Sequence, residues 1–163
     1  MDSSAGWTDF LVAAAGATGA LAGLLFVALS INLTRILALT GLPGRAAETV
    51  LLLASGLIGS LLALMPGLSS SELGLLMMGL WLPTWGLPTL YQIQALHRRQ
   101  FHRLNYALLR FGLYQAATVP LLLTGLSLRG YLTGGLHWFA VALLLSLSVA
   151  LFNAWVLLVE ILR

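Results

Sequence analysis

The chain has 163 residues, of which 60% are hydrophobic and only 8% are charged, and its formal net charge is +3. A mean hydropathy of +0.97 excludes a water-soluble domain, and the apolar runs are too long for the two-residue alternation of a membrane β-barrel. The composition therefore predicts an all-α integral membrane protein. The absence of cysteine also excludes disulfides, thiolate metal sites and cysteine nucleophiles.

Five apolar stretches are each long enough for an α-helix to cross about 30 Å of hydrocarbon. They cover residues 10–36, 46–66, 72–95, 105–126 and 136–162. The connections between them are short, so we expect one transmembrane domain over residues 1–163. Any activity must then lie inside the bundle, at its mouths or on its lipid-facing surface.

The arginines predict an orientation for this bundle. The chain has eight arginines and no lysine, and only Arg129 falls on the side opposite the other seven. Those seven are Arg35, Arg45, Arg98, Arg99, Arg103, Arg110 and Arg163. Because cytoplasmic loops are enriched in arginine and lysine, we expect the N-terminus outside and the C-terminus inside. The orientation signal accounts for the positive charge, and no nucleic-acid partner is expected.

Small residues recur at intervals of four on three of the predicted helices. The helix-packing candidates are Ala15, Gly19, Gly23, Gly59, Ala150 and Ala154. Stripes of small residues let helix backbones approach closely in lipid, where packing replaces the hydrophobic effect. They indicate either packing within one chain or self-association, and with three such faces we expect a homo-oligomer.

The third span differs from the others in its start and its middle. Ser69 lies three residues before Glu72, which predicts a capping box at the start of the helix. Further along, Pro83 and Pro88 each delete a backbone hydrogen bond, and Gly86 lies between them. We expect the third helix to kink at these prolines. The kink is either ordinary packing or a hinge beside a binding cavity.

Polar residues inside a membrane are costly, so they are the first candidates for function. The site candidates in the cytoplasmic half of the bundle are Asn32, Arg35, Glu48, Arg110, Ser146, Asn153 and Glu160, and the same half also holds Gln92, Gln94, Arg103, Tyr114 and Thr118. On the last span Ser146, Asn153 and Glu160 recur every seven residues and form one polar stripe. Two interpretations remain open for Arg110. In the structural one, it snorkels to the inner interface or pairs with Glu160 or Glu48 and ties the bundle together. In the functional one, it lines an aqueous path or binds an anion.

Enzymatic and metal chemistry find little support in the sequence. No Ser-His-Asp set, HExxH or GxSxG motif occurs, and the carboxylates are divided between the two membrane surfaces. His97 and His102 are five residues apart, which is poor spacing for two ligands on one helix face. We therefore expect no catalytic residues, no metal and no cofactor.

Three segments carry a resemblance to known proteins. They are GLLFVALSINLTRIL at residues 23–37, GLPGRAAETVLLL at 41–53 and NAWVLLVEILR at 153–163. Together they resemble a family of small, essentially uncharacterised bacterial multi-spanning proteins. The resemblance implies a multi-pass protein of the bacterial inner membrane, and it carries over no catalytic or binding residues.

Together these features favour a small homo-oligomeric channel or passive conduit for ions or small solutes, surrounded by membrane lipid. In this hypothesis Arg110 is the electrostatic filter, Asn32 and Asn153 are polar lining, and Glu48 and Glu160 are charges at the mouth. The alternative is a non-conducting accessory or regulatory subunit of a larger membrane complex, recognised through its glycine faces.

Overall fold

A computed structural model describes residues 3–39, 41–97 and 104–162, and the side chains of residues 6–39, 41–94 and 107–159. The helices are α1 (Ser3–Ile31), α2 (Leu33–Ala38), α3 (Leu42–Leu64), α4 (Ser70–His97), α5 (Leu104–Leu128) and α6 (Leu136–Leu162). Within the described residues no strand occurs, and the five long helices are all long and apolar enough to cross a membrane. The all-helical, multi-pass membrane class is therefore confirmed.

The first two spans begin or end elsewhere than the hydropathy pattern predicts. Predicted span 10–36 crosses a break at Asn32, where φ is −106° and the side-chain amide donates to the Ala28 carbonyl at 2.9 Å. Asparagine competes in this way with helical backbone bonding. Helix α3 begins at Leu42 because Gly41 adopts a φ of +90° and Pro43 occupies the first turn, where its missing N–H costs nothing.

Four helices form a closed ring, and α1 is attached to its outside. Helix α3 packs against α4 and α6, and α5 packs against the same two helices. Helix α1 packs along α3 and has little contact with α6. It is the least enclosed span, since 22% of its apolar window is buried against 44% for α3 and for α5.

Glycines set the closest approaches within the ring. A Cβ at Gly59 would lie 2.6 Å from the Phe139 ring of α6, so any side chain there would displace that helix. Gly74 and Gly125 bring α4 and α5 together in the same way, because a Cβ at either would lie 2.8 Å from the other's carbonyl oxygen. These contacts are those expected where small residues let backbones approach in lipid.

Helix α4 begins with the predicted capping box and contains both predicted prolines. The capping box is confirmed: the Ser69 N–H donates to the Glu72 carboxylate at 2.9 Å, and the Glu72 N–H donates to the Ser69 hydroxyl at 3.3 Å. The helix continues without interruption through Pro83 and Pro88. A proline at 88 leaves the Thr84 carbonyl without its helical donor. The kink and the hinge stay predictions.

The orientation also stays a prediction, because it depends partly on residues beyond those described. Arg35, Arg45 and Arg110 lie at one end of the bundle, near the end of α1, the start of α3 and the start of α5. Arg98, Arg99, Arg103 and Arg163 lie outside the described residues. We call the end that carries Arg35, Arg45 and Arg110 the arginine end.

Candidate functional site

The most polar point in the described interior is the carboxylate of Glu48. It lies six residues into α3, about 9 Å from the helix start at 1.5 Å per residue, and it is 1% exposed. Arg110 of α5 donates to both carboxylate oxygens, from Nη2 to Oε1 at 2.6 Å and from Nε to Oε2 at 3.1 Å. Gln92 of α4 donates from Nε2 to Oε1 at 2.8 Å. These three side chains form the Glu48 cluster.

The Glu48 cluster joins three helices through one carboxylate. A planar guanidinium that donates in parallel to two oxygens is the strongest arrangement available to an ion pair. The Arg110 side chain is only 9% exposed, so the two charges are paired away from solvent and lipid. Removing one partner from a buried pair costs about 3–5 kcal/mol, because the other charge is then left uncompensated. The cluster therefore acts as a tie between α3, α4 and α5.

A small cavity lies beside the cluster, between α3, α5 and α6. Its volume is about 40 Å³, and most of its accessible wall is apolar, formed by Leu109, Leu113, Val149 and Phe152. The polar residues at its wall are Arg45, Glu48, Arg110, Tyr114 and Asn153, of which Asn153 is the contribution of α6 and is 5% exposed. The volume gives room for on the order of two or three water molecules, which would have to bond to these few polar groups.

A second polar contact lies one turn deeper on α4 and α5. The Tyr114 hydroxyl, from a residue 1% exposed, donates to the Thr84 carbonyl. This is the carbonyl that Pro88 deprives of its helical partner. Beside it, the Trp85 indole donates to Gln115 at 2.6 Å. Both contacts hold α4 against α5 at the depth of the prolines.

The structure separates the other predicted site residues from the Glu48 cluster. Asn32 faces an apolar groove between α1 and α6, and Arg35 is exposed. Ser146 is buried and donates to the Ala117 carbonyl of α5 at 3.4 Å. The side chain of Glu160 lies outside those described. Of the seven predicted polar residues, the structure brings together Glu48, Arg110 and Asn153.

The predicted packing and hinge residues also divide into two groups. Ala150 is buried in the core and Ala154 packs beside it, while a Cβ at Gly19 would lie 3.7 Å from Leu57 of α3. Ala15 is half-buried. By contrast, a Cβ at Gly23 would meet nothing within 4 Å. Of the hinge residues, Pro83 is exposed, Gly86 is half-buried and Pro88 is buried.

Three further polar residues contribute to the site, and of these only Gln115 is not among the polar residues that the sequence places in the cytoplasmic half. Gln92 supplies a donor to Glu48, and Tyr114 and Gln115 bridge α5 to α4. The signal for Tyr114 is indirect: Pro88 frees a carbonyl four residues earlier, and that carbonyl needs a donor from another helix. For Gln92 and Gln115 the sequence offers no signal beyond their polarity.

The described residues offer no constellation for metal binding, because no three histidine or carboxylate side chains among them lie close enough together. Comparison of the chain with protein-family models, with curated proteins and with solved structures finds no match. The resemblance of the three segments to small bacterial multi-spanning proteins therefore stays a prediction. The site must be interpreted from its own geometry.

Proposed function

We propose that the protein is a non-enzymatic, non-conducting accessory subunit that joins a larger membrane complex through the outer face of α1. The observation that carries the proposal is a strip of small residues on the side of α1 turned away from α3. Gly16, Ala20, Gly23 and Val27 share this face at 100° per residue, and all four are exposed in the single chain. A Cβ at Gly16 or Gly23 would meet nothing within 4 Å. We call this strip the outer α1 face.

The contrast with the glycines packed inside the ring supports this choice. Gly59, Gly74 and Gly125 are each covered by a neighbouring helix of the same chain, whereas the outer α1 face is not. Close approach to such a face gives packing that lipid tails cannot match, so it favours another transmembrane helix. The polar interior is meanwhile engaged in holding the chain together, since the Glu48 carboxylate accepts three hydrogen bonds.

The test is association in native membranes with matched glycine variants. A photo-cross-linking side chain at Val27 should give an adduct of one defined mass. Gly16→Leu and Gly23→Leu should abolish the adduct without changing thermal unfolding, because both sites have free space in the chain. The control is Gly112→Leu, the same change at an exposed glycine of α5 with equally free space.

The mass of the adduct distinguishes the outcomes. A foreign subunit supports the proposal. An adduct of twice the chain mass would assign the face to the homo-oligomer that the sequence also predicts. An adduct that survives both leucine variants, or no adduct from any position on the face, would contradict the proposal.

A second candidate is the homo-oligomeric conduit, which the cavity beside the Glu48 cluster favours. At the arginine end of the bundle, Arg45, Arg110 and Asn153 form the polar part of a wall that encloses room for water. This candidate requires that ions or small solutes cross the bundle, whereas the accessory subunit requires that they do not.

For either candidate we propose a multi-pass location in the bacterial inner membrane, with the N-terminus outside and the C-terminus inside. The proposal is supported by the arginine end, which the positive-inside rule assigns to the cytoplasm, and by the resemblance to small bacterial multi-spanning proteins. We propose no catalytic role, cofactor or nucleic-acid partner.

A further inference from the structure

The largest described cavity is an apolar groove between α1 and α6, which we call the α1–α6 groove. Its volume is about 270 Å³, and its walls include Leu21, Leu25 and Ala28 of α1 and Ala150, Ala154 and Leu158 of α6. Helix α3 forms its floor with Thr49 and Leu53. The groove exists because α1 packs on α3 and leaves α6 almost untouched.

The two polar side chains along the groove each donate a hydrogen bond to their own helical segment. The Thr49 hydroxyl donates to the Arg45 carbonyl at 2.8 Å, and the Asn32 amide donates to the Ala28 carbonyl at 2.9 Å. The walls otherwise offer only hydrocarbon. The groove therefore suits an apolar occupant that needs no hydrogen bonds.

The length of the groove matches the depth to which a lipid chain reaches in one leaflet. Its α1 wall runs from Leu21 to Asn32, about 16 Å at 1.5 Å per residue. One leaflet of hydrocarbon is about 15 Å thick, half of the bilayer core.

A cation lies just beyond the arginine end of the groove. Backbone hydrogen bonds from Asn32 to Ala28 and from Ile36 to Asn32 carry the helical winding past the break. At 100° per residue, Arg35 therefore falls within about 40° of Leu24 and Ala28, which line the groove. Arg35 is exposed. The neighbouring residue, Ile36, is buried and packs in one cluster with Leu157, which lines the groove.

We propose that the α1–α6 groove binds one acyl chain of a membrane phospholipid whose phosphate contacts Arg35. The chain fills the apolar groove over the depth of one leaflet, and the phosphate lies at the headgroup level, where arginine pairs with it through parallel N–H donors. The site is separate from the outer α1 face, because Gly16 and Gly23 point about 150–170° away from the centre of the groove at 100° per residue.

The test uses purified protein in nanodiscs that contain a phosphatidylglycerol with a photoactivatable diazirine at the middle of one chain. Illumination should place the adduct on residues 21–32 and 150–158. Ala28→Phe fills the groove and should reduce the adduct about tenfold, which corresponds to about 1.4 kcal/mol of binding. The matched control is Ala116→Phe, the same change at an exposed alanine of α5, and it should leave the adduct unchanged.

Two further variants make the result decisive. Ala154→Phe fills the groove from the α6 side and should give the same loss of adduct. It replaces Ala28→Phe in the test should that variant fail to fold. Arg35→Gln should reduce retention of phosphatidylglycerol in native mass spectrometry while the acyl adduct still maps to the groove. Adducts spread evenly over exposed helix faces, or unaffected by both phenylalanine variants, would overturn the acyl site. A chain-to-chain adduct at the groove would replace the lipid by a second copy. Unchanged retention in Arg35→Gln would overturn the phosphate contact.

Discussion

The Glu48 carboxylate and the Arg110 guanidinium form a buried pair whose partners depend on each other. The two groups bond through two parallel contacts, and Gln92 adds a third donor. Each partner alone would be an uncompensated charge in a low-dielectric interior. The pair as a unit can often be exchanged for apolar residues without loss of stability.

We therefore predict that Glu48→Gln and Arg110→Met each lower the free energy of unfolding by about 3–5 kcal/mol, and that Glu48→Leu with Arg110→Met recovers most of it. Thermal unfolding in detergent micelles measures all three variants. Arg35→Met is the control, since Arg35 is exposed and should change stability little. Single variants as stable as the control would show that the pair does not hold the bundle together.

At the scale of the helix, Tyr114 and Pro88 should act as one unit. The Tyr114 hydroxyl donates to the Thr84 carbonyl, which proline at 88 leaves without a helical donor. We predict that Tyr114→Phe lowers the free energy of unfolding by about 1–3 kcal/mol. In a Pro88→Ala background the restored N–H should reduce that cost. A double-mutant cycle measures the coupling, with exposed Tyr131→Phe as the control. Equal costs of Tyr114→Phe in both backgrounds would contradict the argument.

The helices could be predicted from this sequence more reliably than the pairs of helices that pack against each other. Five apolar runs of sufficient length predict five spans, and the Ser69–Glu72 spacing predicts the start of α4, because both signals are local. The roles of Gly23 and Gly59 could not be distinguished in this way. Both lie in small-residue stripes, yet Phe139 covers Gly59 and nothing in the chain covers Gly23. Which face meets which helix depends on the arrangement of the whole bundle, and spacing along one helix does not encode it.

The same limit applies to the candidate site. Polarity alone identified Glu48, Arg110 and Asn153, and the first two meet as one of the sequence interpretations proposed. Asn32 and Arg35 were grouped with them because they occupy the same membrane half. The break at Asn32 and the position of α1 outside the ring place them beside the α1–α6 groove. Depth is readable from sequence in a membrane protein, whereas the angular position of a helix around the bundle is not.

For the whole molecule, the deciding question is whether a bundle arranged in this way conducts. The cavity beside the Glu48 cluster has a volume of about 40 Å³, which gives room for on the order of two or three waters. Glu48 and Arg110 at its wall are bonded to each other. A permeating ion needs a continuous hydrated path or groups free to replace its water.

We therefore predict that purified protein in proteoliposomes passes K⁺ and Cl⁻ no faster than protein-free vesicles. Gramicidin-containing vesicles show that the assay responds to K⁺ flux, and vesicles with a chloride ionophore show that it responds to Cl⁻ flux. Flux in the wild type that changes in rate or selectivity in Arg110→Ala or Asn153→Ala would establish the conduit and remove the accessory subunit. Flux that both variants leave unchanged would also remove it, and would place the path away from the Glu48 cluster.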